Sequence, residues 1–193
     1  MKKALLILFF ITFSINGFSQ FFIEKTGNKL QKGITKYEGY FTFYYDDNLD
    51  KIFLQIDDLN TEFLYIRSLS EGIGSNDIGL DRGQLGGGAV VYFKKIGNKI
   101  MLIQPNQDYR AITENIDEKK SVKQAFAKSV LHGFKIEKTN KNTFLVDATN
   151  FFMRDAHGVS NILARNKQGS YSLDKSKSAF NIKRIKAFPK NVE

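Results

Sequence analysis

Apolar and polar positions alternate with the period of strands along much of this chain. Tyr40 to Tyr45 is a dense aromatic run, and Asp46-Asp47-Asn48 after it reads as a turn. Lys51 to Ile56 follows as a second strand, with Ile52, Leu54 and Ile56 on one face. Phe63 to Leu69 is apolar on both faces, which predicts a central strand. Ala89 to Ile96 and Lys99 to Gln104 flank Gly97-Asn98, a two-residue hairpin signal. Asp108 to Ile112 reads as a short further strand, Phe134–Ile136 and Thr143–Val146 as another hairpin, and Ala179 to Phe188 as a last strand stopped by Pro189.

The pattern changes period once. Val122, Ala125, Phe126, Ser129 and Val130 form a stripe at helical spacing. It predicts one amphipathic helix over 119–132, with Asp117 as N-cap and Gly133 just past the end. A shorter helical piece is expected within 149–165. The predicted class is α+β: a mostly antiparallel β-sheet of about eight short strands with that one helix. A chain of 193 residues that is 42% hydrophobic can bury one core, and no internal repeat or linker divides it. The expected organisation is a signal peptide over 1–19, an N-terminal lead-in over 20–38 and a single β-rich domain over 39–193.

The signal peptide rests on three features. Lys2 and Lys3 supply a basic start, Ala4 to Ile15 an apolar run, and Gly17 and Ser19 the small residues of a cleavage site. The apolar run is shorter than the ~20 residues that a membrane-spanning helix needs. The expectation is therefore export to the periplasm or beyond, with no transmembrane anchor after cleavage. The chain has no cysteine, which excludes thiol catalysis, thiolate metal sites and disulfides. Its net charge is +9, and loss of Lys2 and Lys3 would take it to +7. The lysines are spread thinly, with modest clusters at Lys119–Lys123, Lys135–Lys141 and Lys175–Lys190, which fits solvated faces better than a nucleic-acid footprint, so no nucleic-acid partner is expected.

Glu71 to Gly88 is the segment without a periodic pattern, and seven of its eighteen residues are glycine. A loop of this length without structure of its own is a candidate for function. It lacks the Gly-Lys-Ser/Thr ending of a P-loop and the third glycine of a dinucleotide fingerprint. Asn76, Asp77 and Asp81 offer oxygens to calcium, but not at EF-hand spacing. Asp81 and Arg82 could instead be halves of pairs that pin the loop, and glycines beside strand edges could let an extended peptide approach. The candidate recognition residues are thus Gly74, Asn76, Asp77, Asp81, Arg82 and Gln84. A second polar cluster is Arg154, Asp155 and His157, where Asp155 could orient the imidazole or both could serve a loop hydrogen-bond network. His132 is expected in the last turn of the predicted helix. No catalytic set and no metal site is predicted.

Several segments carry a resemblance. YEGYFTFYYDDNLDKIFLQI, GSNDIGLDRGQ, QPNQDYRA, SVKQAFAKSVLHGF and FLVDATNFFMRDAHGV resemble the N-terminal domain of unknown function of large secreted bacterial zinc-dependent metalloproteases. The likeness runs from about Tyr37 to Glu193. In that family a catalytic region follows, in which a His-Glu-x-x-His helix binds zinc and activates water. Here His132 and His157 are the only histidines, and neither lies in such a motif. The resemblance therefore implies an exported, non-catalytic front domain with no cofactor of its own, zinc belonging to a downstream catalytic domain. Its implied partners are a metalloprotease catalytic domain or a peptide substrate, and a truncated gene product is a further expectation. The alternative is an independent envelope module that binds a peptide or glycan.

Overall fold

The computed structural model describes residues 31–72 and 78–192. The predicted signal peptide and most of the lead-in lie outside the described residues. The chain divides into two units, and the described residues fall almost wholly in the second, Gly33–Glu193.

Its frame is an eight-stranded antiparallel sheet. Strands β1 (Ile34–Tyr37), β2 (Thr42–Asp46) and β3 (Lys51–Ile56) form a meander. At the first tight turn the Asp46 carboxylate accepts from the amides of Asn48 (3.0 Å) and Leu49 (3.2 Å), and Asp50 takes positive φ. Strand β4 (Glu62–Tyr65) pairs with β5 (Ala89–Ile96), β5 with β6 (Lys99–Gln104), and β6 with β7 (Ser129–Asn140). Strand β8 (Thr143–Asp147) closes the set between β7 and β3, giving the order β1-β2-β3-β8-β7-β6-β5-β4. Gly97 at φ 58° makes the β5–β6 turn, as its sequence predicts.

β7 joins the two halves, pairing with β6 through its first part and with β8 through its second. It carries two register shifts, one opposite Leu102/Ile103 and one between Ile136 and Lys138. Bulges increase local twist and bend a strand. The sheet curls accordingly, and Phe41 beside β2 meets Phe63 of β4 with ring centroids 5.0 Å apart and Phe93 of β5 at 5.7 Å. The concave face holds the core: Phe43, Leu54, Ile56, Phe93, Leu102, Phe134 and Val146 are all buried there. Helix α2 (Thr149–Phe152) contributes Phe151, and Phe180, Ile185 and Ala187 of the C-terminal segment pack against the same cluster.

The convex face of β2–β3 is also closed. Tyr44 is fully buried and donates to Gln55 Oε1 at 3.0 Å, while the Gln55 amide donates to Asp57, which also accepts from Thr143. Burial, with Glu38 and Asp57 adding to it, pushes the Tyr44 phenol up to about 12, so it stays a neutral donor.

Several expectations change. The helix predicted over 119–132 is α1, Ile116–Ala125, capped by the Asn115 side chain on the Asp117 amide rather than by Asp117 itself, and none of its residues is buried. Residues from Ser129 onward form β7, because His132, Phe134 and Ile136 follow strand alternation onto the core; the helical stripe overlapped that run by chance of spacing. His132 is therefore a strand residue, and Gly133 is no helix end: a Cβ there would lie 3.1 Å from the Met101 sulfur. β4 is an edge strand rather than a central one, because the apolar second face that suggested burial, Leu64 and Ile66, stays 62% and 48% exposed. Asp108–Ile112 forms an Asn106-centred turn, with the Asn106 side chain accepting from the Asp108 and Tyr109 amides. Of Ala179–Phe188 only Ala187–Phe188 (β9) is a strand, paired with Asn191–Val192 (β10). The strand β1 lies inside the stretch assigned to the lead-in, and α3 (Val159–Arg165) completes the predicted helical piece after α2.

Candidate functional site

The glycine-rich stretch is built into the sheet from both ends. Beyond β4 and β5 the hairpin continues as a looser ladder. Gly86 N–H donates to Arg67 O at 2.7 Å, Ser68 and Leu85 form a bridge, Leu69 N–H donates to Gln84 O at 3.0 Å, and Gly83 N–H donates to Leu69 O at 2.6 Å. Gly79 and Gly83 take positive φ, the conformation that glycine adopts without strain. Leu80 is 2% exposed and anchors the far end. At Gly72 a Cβ would meet the Arg82 amide at 3.1 Å and Leu80 O at 3.2 Å, so the two arms pass closely there.

This stem rests on the turn between α2 and α3. The parity of β4 sends Phe63, Tyr65 and Arg67 toward the core side. Arg67 donates to Ala156 O at 2.7 Å, and Arg154 donates to the Tyr65 hydroxyl at 2.9 Å. The Arg154 guanidinium lies over the Phe151 ring, 4.4 Å from its centroid. Its Nε is buried without a hydrogen-bond partner. The His157 ring sits against Gly86, where an added Cβ would fall 3.3 Å from Cε1 and 3.3 Å from Arg67 O.

Asp155 does not orient His157. Its carboxylate accepts from the amides of Val159 (2.8 Å) and Ser160 (2.9 Å) and so fixes the start of α3. Burial would raise its pKa, but those amide bonds outweigh burial and hold it below the usual carboxylate range. Arg154, on Tyr65, and His157, on Gly86, thus clamp β4 and the glycine-rich stem, while Asp155 holds the turn that carries them. Of the stretch's candidates, Gly74, Asn76 and Asp77 lie outside the described residues. Asp81, Arg82 and Gln84 are exposed at the far end, where the Asp81 carbonyl accepts from the Gln84 amide at 3.3 Å. Among the described residues neither Asp81 nor Arg82 forms an ion pair; the pair at this end is Glu71–Arg184 at 3.4 Å. Tyr65, Arg67 and Phe151 belong to the clamp although no motif marks them. Arg67 could have been found from its parity, a cation in phase with Phe63 and Tyr65.

Gly86→Val is expected to destabilise the protein by about 1–3 kcal/mol, because the added carbons meet Arg67 and His157. Gly87→Val should be close to neutral, since the nearest atom to a Cβ there is the Arg67 guanidinium tip at 3.9 Å. Urea unfolding of both variants checks this, and equal losses would contradict the clamp.

His132 lies behind the clamp, its ring 4.6 Å from Phe134 and 5.2 Å from Phe151. Burial, and then the Arg154 charge, push its pKa below the ordinary value. The unfolded chain therefore binds this proton more readily than the fold does. Stability is full above the unfolded pKa of about 6.5 and falls as pH drops through it, levelling off below the depressed folded pKa. Melting temperature should decline as pH falls through the unfolded pKa, and His132→Phe should flatten that part of the curve. An unchanged slope in the variant would contradict this assignment.

Among the described residues no group of three or more His, Asp or Glu side chains is placed to hold a metal ion. No described helix is long and apolar enough to cross a membrane. No curated protein and no solved structure matches the chain. A family model does match, and the match takes in the returning arm of the glycine-rich stretch, the β5–β8 half of the sheet and the whole clamp turn. Covering residues 83–193, more than half of the sequence, it shows that the chain belongs to DUF5117, a domain of unknown function.

Proposed function

We propose that this chain is an exported, non-catalytic front domain that works beside a zinc-dependent metalloprotease catalytic region, docking it or presenting peptide to it. The supporting observation is the pinned stem. A glycine-rich stretch held by backbone bonds and by Arg67, Arg154 and His157 keeps an exposed apolar edge in place, with Leu64, Ile66 and Leu85 between 48% and 69% exposed. Contiguous exposed apolar surface of this kind favours a protein partner. The sequence resemblance to the front region of such proteases supplies the identity of that partner. Zinc would be held by the catalytic region's own histidines, and export would follow from the signal at residues 1–19.

Two measurements test the reading. The purified chain, assayed on casein with and without zinc, should not cleave it; zinc-stimulated cleavage abolished by a chelator would overturn the non-catalytic role. In a full-length relative that carries the catalytic region, aspartate at the positions matching Leu64 and Ile66 should reduce secretion or proteolysis. If both are unchanged, the edge is not a docking surface.

A further inference from the structure

A second surface lies on α1 and the segment before it. Tyr109 and Phe126 stack at 3.9 Å with their planes 5° apart, and with Val122 and Pro105 they floor an open cleft of about 360 Å³. Four cations ring it: Arg110, Lys119, Lys123 and Lys128. None of the residues lining it is acidic. Glu114 approaches Lys119 only at 3.8 Å and is itself fully exposed, so it compensates little. Lys128 is positioned rather than loose, donating to the Tyr92 hydroxyl at 2.9 Å with its ammonium 5.2 Å from the Tyr92 ring centroid. Through Pro105 and Asn106 the cleft continues into a second hollow, which Asp108 also lines and which reaches Val90 of β5 and Leu64 of the edge strand β4.

We propose that this cleft binds an acidic, partly apolar peptide segment, its carboxylates meeting Arg110, Lys119, Lys123 and Lys128 and an apolar side chain lying on Val122 and Phe126. The charge arrangement decides the sign of the occupant, since a ring of cations around an apolar floor with no lining acid is complementary to carboxylates. The shape favours peptide over nucleic acid. Tyr109 and Phe126 each spend a ring face on the other rather than leaving a slot for bases. The hollow also reaches β4, which among the described residues pairs with β5 alone and ends the sheet, so an extended backbone can add there. The inference rests on the docking reading and gives that role a ligand chemistry.

The test uses the purified chain and a fluorescein-labelled peptide of alternating glutamate and leucine, followed by anisotropy at low and raised salt. Binding should weaken with salt. It should fall at least about ten-fold in Arg110→Glu/Lys123→Glu, the loss expected when several close charge pairs turn repulsive. Lys183→Glu/Lys186→Glu, with the same change in net charge, should bind as the parent does, and circular dichroism checks that each variant is folded. Equal loss in both variants, no binding by the parent, or tighter binding of a short oligothymidylate than of the peptide would each overturn the proposal. Because the readout needs no protease, its failure is distinct from failure of the metalloprotease partnership, which the casein and full-length experiments judge.

Discussion

Truncating Phe134 to alanine is expected to destabilise the protein by about 3–5 kcal/mol, the range for removing a buried phenylalanine. Phe134 is 1% exposed and stands where the two halves of the sheet meet on β7. Its ring touches Phe93 of β5 at 6.1 Å, His132 at 4.6 Å and Phe151 of α2 at 5.3 Å. Those partners belong to three separate elements, so local collapse cannot refill the space without moving the sheet or the clamp helix. Much of the cost should therefore be the cavity term. For a chain of this size a loss of 3 kcal/mol or more corresponds to a fall in melting temperature of about 6–12 °C. Thermal and urea unfolding measure it. A loss below about 1 kcal/mol would mean that β7 does not carry the junction of the core. Phe134→Leu, which retains most of the volume, should lose substantially less.

The second large effect is expected at Gly39. A Cβ there would lie 2.6 Å from both the amide nitrogen and the carbonyl oxygen of Phe188, and 2.8 Å from the Ala187 Cβ. These are mostly backbone atoms and cannot swing aside. The Tyr40 amide donates to Phe188 O at 2.6 Å, so the close approach is also a hydrogen-bonded one. Gly39→Val should cost about 3 kcal/mol and should detach the C-terminal segment, whose Phe180, Ile185 and Ala187 pack on the core. Limited trypsin digestion should then cut at Lys183 and Lys186 well before the parent is cut. Gly97→Asn provides the contrast: Gly97 has positive φ but nothing within 4 Å of a Cβ, and asparagine tolerates that conformation. If trypsin cuts Gly39→Val and the parent at the same rate, the C-terminal segment is not held through Gly39.

These two positions also mark where sequence patterns end. The strands that carry local signals, such as β3 with Ile52, Leu54 and Ile56 or β5–β6 around Gly97-Asn98, form where alternation and turn chemistry place them. The helix prediction extends into β7 because Ser129 and Val130 fall at i+7 and i+8 of the stripe that starts at Val122, whereas the alternation that marks the strand begins only at His132, Phe134 and Ile136. The position of a strand within the sheet is not a local property. β4 is apolar on both faces, which describes a central strand and an edge strand with an unpartnered outer face equally well. The C-terminal segment carries the apolar residues of a strand, yet it uses Phe180, Ile185 and Ala187 to cap the concave core through turns.

The candidate site divides along the same line. Glycine density marks Glu71–Gly88 as special, and Arg154-Asp155-Ala156-His157-Gly158 stands out as a polar turn. That the two meet is a tertiary fact: Arg67 and Ala156 are 89 residues apart in the chain and 2.7 Å apart in the fold. The meeting reassigns both. Asp155 serves the amides of α3, His157 packs on Gly86, and Arg154 is consumed by Tyr65 and Phe151. What remains available to a partner is the surface the clamp supports, the apolar edge at Leu64, Ile66 and Leu85, and the basic cleft of α1.

The glycine-rich stretch is a pinned extension of the β4–β5 hairpin that holds a surface in place. Amide hydrogen exchange by NMR tests it most directly, at Leu69, Gly83 and Gly86, the three donors of the stem. Protection well above that of a free loop is expected at all three, and it should be lost selectively in Arg67→Ala, which removes the bond to Ala156 O. Exchange at the rate of an unprotected loop in the parent protein would contradict the pinned stem and the docking role built on it.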